Sequence, residues 1–381
     1  MHRRDFMLQS AAAWLALRRP GLAAPSLLVK QKSVPEALVP TTSQLLFHEP
    51  AQDGGITIER FRMQGELAVL SPDHRRIAYD CKHHDGYYNI HLCRVDGTDD
   101  RCITTLNNGL PHRHAGSPDW HPSGRYIVFT AEKRTHPGGS IEAIPGFGGH
   151  SDVWVITPDG RQAWNLTDIP DVSHNNVIIP RFSPDGTRLI WCQRRAESTW
   201  RPSRWHWDIK IAEFDPDGPR LANVQSLDPC GPGFYESYGL SPDGRRLIFM
   251  KTEQGHGPFV SQIYTADAHK GGDVQQLTHH VAWNEHASYT PDGRHIVWMT
   301  SQDNRNHGTD WWLMRADGSR PRRLTRFNDP TSPEGDRRPV YALLPQWFPD
   351  GRRFLGGIQY SLIKQEGRIV LVSLDASVFD D

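Results

Sequence analysis

Histidine and glutamate collect at equivalent places in this 381-residue chain, each time a few residues ahead of a repeated proline turn. The segments are Pro111-His112-Arg113-His114, Ser173-His174-Asn175-Asn176, Tyr235-Glu236-Ser237-Tyr238 and Trp283-Asn284-Glu285-His286. Glu66, Glu236 and Glu285 each stand six residues before a turn proline, and His286 stands five before. Imidazole with carboxylate suits a divalent ion: imidazole favours Zn, Mn, Fe or Ni, and a carboxylate shifts the choice toward Mn or Fe. The candidate ligands are His114, Glu236, Glu285 and His286, with His174 as a further imidazole, and the candidate ions are Mn, Fe, Ni, Zn or Ca. Polar side chains that merely line a hydrated channel would give the same pattern, and 20 histidines allow chance clustering.

A second group lies between Arg194 and Trp207, where Trp200, Arg201, Arg204, Trp205 and His206 fall close together. Aromatic faces stack on sugar rings, and guanidinium groups pair bidentately with carboxylates, so an acidic saccharide would satisfy both. His150 and Arg305 add polar groups from the loops Gly149-His150-Ser151-Asp152 and Asn304-Arg305-Asn306-His307. Trp200, Arg201, Trp205, His150 and Arg305 are therefore the candidate ligand contacts. The bland alternative packs the tryptophans between structural units and leaves the arginines solvated.

The elements that must position these groups are set by the turn itself. It reads Ser71-Pro72-Asp73-His74, His121-Pro122-Ser123-Gly124, Ser183-Pro184-Asp185-Gly186, Ser241-Pro242-Asp243-Gly244, Thr290-Pro291-Asp292-Gly293 and Phe348-Pro349-Asp350-Gly351. The prolines are spaced by 50, 62, 58, 49 and 58 residues, a period that means stacked repeats. Pro pre-sets φ, Asp tolerates the next position and Gly supplies a positive φ. Alternating β-branched and aromatic strands follow, such as Tyr126-Ile127-Val128-Phe129 and Ile296-Val297-Trp298. A third strand, a second Asp-Gly turn and a fourth strand complete each unit. Four antiparallel strands per unit make the blade of an all-β propeller, with six blades rather than seven. The last unit lacks a fourth strand, and the N-terminal run Ile56–Phe61 is expected to supply it and close the ring. Long, irregular loops gather on the face opposite the proline turns, where function in repeat folds concentrates.

The Ser-Pro-Asp-Gly repeats resemble those of the TolB-like propellers, whose WD40-like units carry the same turn. That resemblance spans nearly all of residues 55–381 and implies the fold. A narrower one joins the chain to the oligogalacturonate lyases, propellers with a metal held by His and Gln near the channel. One of their His ligands precedes a Pro-Asp-Gly turn, as His286 precedes Pro291-Asp292-Gly293; their His-Pro-His pair is replaced by Leu344-Pro345-Gln346-Trp347-Phe348. The resemblance implies a metal-assisted lyase acting on uronate-containing oligosaccharides. Arg113, His174 or Arg204 would be the base and Tyr235 the acid. The alternatives are a non-catalytic TolB-like scaffold with a periplasmic protein partner, and a module binding sugar or peptide without metal.

The N-terminus reads as an address. Arg3-Arg4 and Phe6 precede the apolar stretch Ala11–Leu17 and small residues at 21–24, a pattern similar to twin-arginine export signals. The expected division is a signal at 1–24, a linker at 25–54 and the propeller at 55–381, in a periplasmic or secreted protein. A formal net charge of −1 shows no basic excess, which argues against a nucleic-acid partner. Five cysteines without a CxxC pair argue against a disulfide framework or zinc ribbon, and no apolar run is long enough to span a bilayer. Serine-nucleophile elbow, zincin, dinucleotide and P-loop motifs are all missing.

Overall fold

The computed structural model describes residues 51–60, 65–105, 109–171, 175–195, 206–253, 256–257, 259–361 and 367–380. Five four-stranded antiparallel sheets and one larger sheet form six blades of a β-propeller. Blade 1 holds Ala68–Leu70, Arg76–Lys82, Tyr88–Arg94 and Arg101–Cys102. Blade 2 holds Ala115–Trp120, Ile127–Glu132, Ser151–Ile156 and Ala163–Asn165, and blade 3 Val177–Phe182, Arg188–Arg194, Trp207–Asp215 and Arg220–Leu227. Blade 4 consists of Tyr235–Leu240, Arg246–Thr252, Ser261–Asp267 and Gln275–Gln276, and blade 5 of Asn284–Tyr289, His295–Thr300, Asp310–Arg315 and Arg322–Arg323. In blade 6 the innermost strand is broken into Tyr341–Ala342 and Gln346–Trp347, both paired to Arg353–Gln359, which in turn pairs Gly367–Leu374.

The ring closes as the sequence requires. Ile56–Arg60 pairs with Gly367–Leu374, Ile56 opposite Leu374, so the first described segment supplies the fourth strand of the last blade. Ala51–Asp53 adds a fifth strand outside it, reaching a few residues before the expected boundary at 55.

Four of the six proline turns share one self-contained arrangement. Ser71 Oγ donates to Asp73 Oδ1 at 2.5 Å and accepts the Arg76 N–H at 3.0 Å. Ser183 with Asp185, Ser241 with Asp243 and Thr290 with Asp292 repeat the arrangement. Gly186, Gly244 and Gly293 sit at φ of 71–73°, which is why glycine recurs there; His74 takes the position in blade 1 at φ 56°. The strands leaving these turns are buried on both faces between blades, with Trp191 and Trp298 almost wholly buried, as is Trp311 on the third strand of blade 5.

The innermost strands are less regular. Those of blades 2 to 5 all break register next to the central channel, between Gly116 and Asp119, Ile178 and Arg181, Ser237 and Gly239, and Glu285 and Ser288. Ser117, Ile179 and His286, each five residues before a turn proline, carry positive φ values of 58°, 49° and 53°. A bulge of this kind re-aims side chains that plain alternation would send to opposite faces. Neighbouring blades are tied by carboxylates near the channel. Asp80 Oδ1 accepts the Leu67 N–H and Asp80 Oδ2 the Ser117 N–H, both at 2.9 Å, and Asp119 Oδ2 accepts the Phe182 N–H at 2.8 Å.

Candidate functional site

Blades 4 and 5 bring Glu236, Glu285 and His286 together, with one ligand atom from each within 4.8 Å of the others. The bulge accounts for the grouping: in an unbroken strand the consecutive Glu285 and His286 would point to opposite faces. Both glutamates are buried, and His286 Nε2 lies 3.9 Å from Glu236 Oε2. Tyr238 donates its hydroxyl to Glu236 Oε2 at 3.1 Å and sets its ring edge-on to His286. His286 also reaches the backbone of Ala342 in blade 6, while its Nδ1 is buried without a partner.

Burial dominates the electrostatics here. It pushes Glu236 up to about 7 against the opposing hydrogen bond from Tyr238. Burial and then the charge of Glu236 drive Glu285 well above the usual carboxylate range. The same loss of water lowers His286 to about 4. Near neutral pH Glu285 therefore keeps its proton, Glu236 is partly protonated and the imidazole carries none. That is a donor set from which a cation would displace protons, because metal ligands must be deprotonated.

Arg181, from the bulge of blade 3, is buried and near enough to His286 for its charge to oppose protonation there. Its Nη1 donates to Pro118 O at 2.8 Å and lies 3.8 Å from Asp119 Oδ1, yet Nε and Nη2 have no partner. The hydroxyls of Ser117 and Ser237 are likewise buried and unpaired. Native interiors satisfy nearly all such atoms, and here four consecutive blades each contribute an unpaired one. Glu66 differs: Tyr88 donates to it at 2.5 Å, and burial, reinforced by the charge of Asp80, raises it to about 8.

The remaining candidates are dispersed. His114 Nδ1 accepts the Tyr88 N–H at 3.2 Å, and the His114 N–H points to Glu132 Oε2. Glu132 bonds His136, whose ring stacks on His150 with centroids 3.9 Å apart, and His150 Nδ1 meets Asp171 Oδ1 at 2.6 Å. His114 and His150 thus share a network belonging to blade 2 and its loops, and His114 is not one of the three grouped ligands. Arg113 lies over the Tyr87 ring and donates to His112 O. The Tyr235 hydroxyl donates to Gly231 O at 2.6 Å and accepts the Cys230 N–H at 3.0 Å, so it is committed to a backbone turn. Arg305 is exposed. His174, Trp200, Arg201, Arg204 and Trp205 lie outside the described residues, as does the export signal. Arg181 and Tyr238 are functional candidates that no sequence motif announces. Their signal is positional, three and four residues before a turn proline, at a bulge that composition does not reveal.

No family model matches the chain. Among curated proteins it is 30% identical over 272 residues to the uncharacterized protein Atu1656 of Agrobacterium fabrum, covering 69% of this chain and 67% of that one. The chain belongs to the Atu1656 family. A 221-residue match at 23% identity to the uncharacterized peptidase YuxL of Bacillus subtilis covers 55% of this chain but only 26% of that protein. Among solved structures, an oligogalacturonate lyase in complex with manganese superposes with a TM-score of 0.52 at 12% identity, over 88% of this chain and 98% of that one. TolB from Acinetobacter baumannii aligns over 79% of this chain and 64% of that one at 18% identity, TM-score 0.49. At 12% identity the likeness to the lyase structure bears on the propeller fold of this chain alone. No helix among its described residues is long and apolar enough to cross a membrane.

Proposed function

We propose that this propeller is a metal-assisted carbohydrate-active enzyme whose ligand is anionic, of the uronate class. The observation that carries the reading is the meeting of Glu236, Glu285 and His286 in the same channel as a buried Arg181 with two unpaired N–H groups. Two carboxylates and an imidazole fit Mn or Fe, and the orphaned His286 Nδ1 fits a site with a missing partner. When bound, the ion would supply positive charge that offsets a ligand carboxylate and favours loss of the adjacent proton. Arg181 would orient the ligand, since a guanidinium fork matches carboxylate geometry. Tyr238 takes the acid's part in preference to Tyr235, because its hydroxyl faces Glu236 whereas that of Tyr235 is held by backbone. Proton abstraction falls to Arg113 or His174, on loops entering innermost strands, or to Arg204, on the loop between Arg194 and Trp207. The shared fold with an oligogalacturonate lyase–manganese complex supports the choice of substrate class.

The test is to supply Mn and saturated uronate oligosaccharides and follow the absorbance of an unsaturated product. The expected signal depends on Mn and falls at least ~100-fold in Glu285→Gln, because the ligand set and its electrostatic contribution go together. Mn-loaded wild-type protein that leaves galacturonate, glucuronate and mannuronate oligomers intact would overturn the lyase reading in favour of a binding propeller.

A further inference from the structure

A second constellation lies far out along blade 1. His83, just past the second strand, His91 on the third and Cys102 on the fourth bring their ligand atoms within 4.8 Å of one another. The two imidazole Nε2 atoms face each other at 2.7 Å. His91 Nδ1 lies 3.1 Å from Asp100 Oδ1, and Asp100 Oδ1 also accepts the Tyr79 hydroxyl at 2.9 Å. That carboxylate fixes the proton on Nδ1 and turns the Nε2 lone pair of His91 toward His83 and Cys102, the device by which metal-binding histidines are oriented. Strand alternation explains the convergence: Tyr79 pairs with His91 and His91 with Cys102, so all three project from one face of the sheet. Tyr79 and Cys93, on that same face, pack against Phe348, Leu355 and Ile369 of blade 6. The constellation therefore belongs to the seam where the ring closes. All three residues are half-buried, reachable by a small ion yet partly shielded from water.

We propose that His83 Nε2, His91 Nε2 and Cys102 Sγ form a metal site for a thiophilic divalent ion of the zinc class, with a fourth position open to an exchangeable ligand. Two imidazoles and a thiolate select zinc or copper over Mn, Mg or Ca, the reverse of the carboxylate-rich channel group. Metal–nitrogen bonds of about 2.0–2.1 Å in a tetrahedral site place two ligand nitrogens roughly 3.3 Å apart, so the rings must part slightly on binding. His83 begins the hairpin loop His83–Tyr87, closed by a 2.8 Å backbone bond, and a turn of its side chain supplies that movement. The proposal is independent of the channel, with which it shares no residue.

Cobalt(II) tests it, because a thiolate ligand gives cobalt a charge-transfer absorbance that imidazole and carboxylate do not. Full-length protein purified without a histidine tag and stripped with chelator is titrated with Co(II). The expected result is a charge-transfer band saturating at one equivalent and displaced by zinc. The band disappears in Cys102→Ser and survives in Cys81→Ser, whose sulfur lies on the same sheet face outside the group, and in His286→Ala. Asp100→Asn keeps the band but binds on the order of 10–100-fold more weakly, since it loosens His91 without removing a ligand. Folding of each variant is checked by its circular dichroism. Folded wild-type protein without the band, or an unchanged band in Cys102→Ser, overturns the proposal.

Discussion

In the turn at residues 241–244, Ser241 and Asp243 satisfy each other and the backbone within a five-residue loop, and hydrogen bonding from Ser241 holds the Asp243 carboxyl below its usual range. Five residues before that turn's proline, Ser237 keeps a buried hydroxyl with no partner, and burial raises its neighbour Glu236 to about 7. The same contrast recurs around the ring. Turn aspartates 73, 185 and 292 are lowered, whereas Glu66, Asp80, Asp119 and Glu285 at the channel are raised. Serine and carboxylate thus serve two purposes set by surroundings alone. On the turn face they complete their own bonding and define the fold; around the channel the carboxylates are held dry, and Ser117 and Ser237 keep unpaired hydroxyls, which costs stability unless something binds.

The largest effect should come from breaking the channel group. Glu285→Gln combined with His286→Ala is expected to weaken Mn binding at least ~100-fold by calorimetric titration, since two of three ligands are lost. The same pair should leave the thermal midpoint in chelator unchanged or raised, because it removes a carboxyl that burial strips of water.

Next in size is a dependence of stability on pH. Glu66 and Glu236 keep their protons in the folded chain up to about 8 and 7, whereas the unfolded chain loses them near 4.5. The folded state then binds more protons, so stability falls as pH rises through that range. His286, lowered to about 4, is neutral in both states above its ordinary 6.5 and adds no slope there. His91, raised to about 9, and Cys102, lowered to about 5, oppose each other across the same window. Glu66 and Glu236 should therefore cost metal-free protein about 2 kcal/mol between pH 6.5 and 8, read from urea midpoints, and Glu285, also raised, adds a loss of the same sign. Glu66→Gln and Glu236→Gln should each flatten the slope; a flat wild-type profile would contradict the dry channel.

How much of this was legible in the sequence follows from the same contrast. Turns such as Ser241-Pro242-Asp243-Gly244 are short-range chemistry, so they revealed the blade count and the closing strand at Ile56. Glu236, Glu285 and His286 were visible because they repeat at fixed distances from those turns. Tyr238 and Arg181 were not, because their direction depends on a register break. Nor was the meeting of His83 with His91 and Cys102, which needs three strands in register. His114 carried the same kind of positional signal as His286 but is drawn into hydrogen bonds with Tyr88 and Glu132.

Two smaller effects sharpen the comparison. Ser241→Ala should cost about 1 kcal/mol in urea unfolding, by loss of the bonds to Asp243 and Arg246, while Mn affinity stays unchanged. Tyr238→Phe removes the bond that holds Glu236 down, and should move the midpoint of pH-dependent Mn binding upward by roughly half a unit. A turn variant that altered Mn affinity, or a Tyr238 variant that left the profile in place, would blur the division between the two faces.

The central claim is that the bulged strands assemble a cation site, and anomalous scattering tests it directly. Crystals of the wild-type protein soaked in Mn should show one anomalous difference peak within coordinating reach of Glu236, Glu285 and His286, absent in the Glu285→Gln, His286→Ala variant. Soaked wild-type crystals with no peak at those residues, or the same peak in the variant, would contradict it.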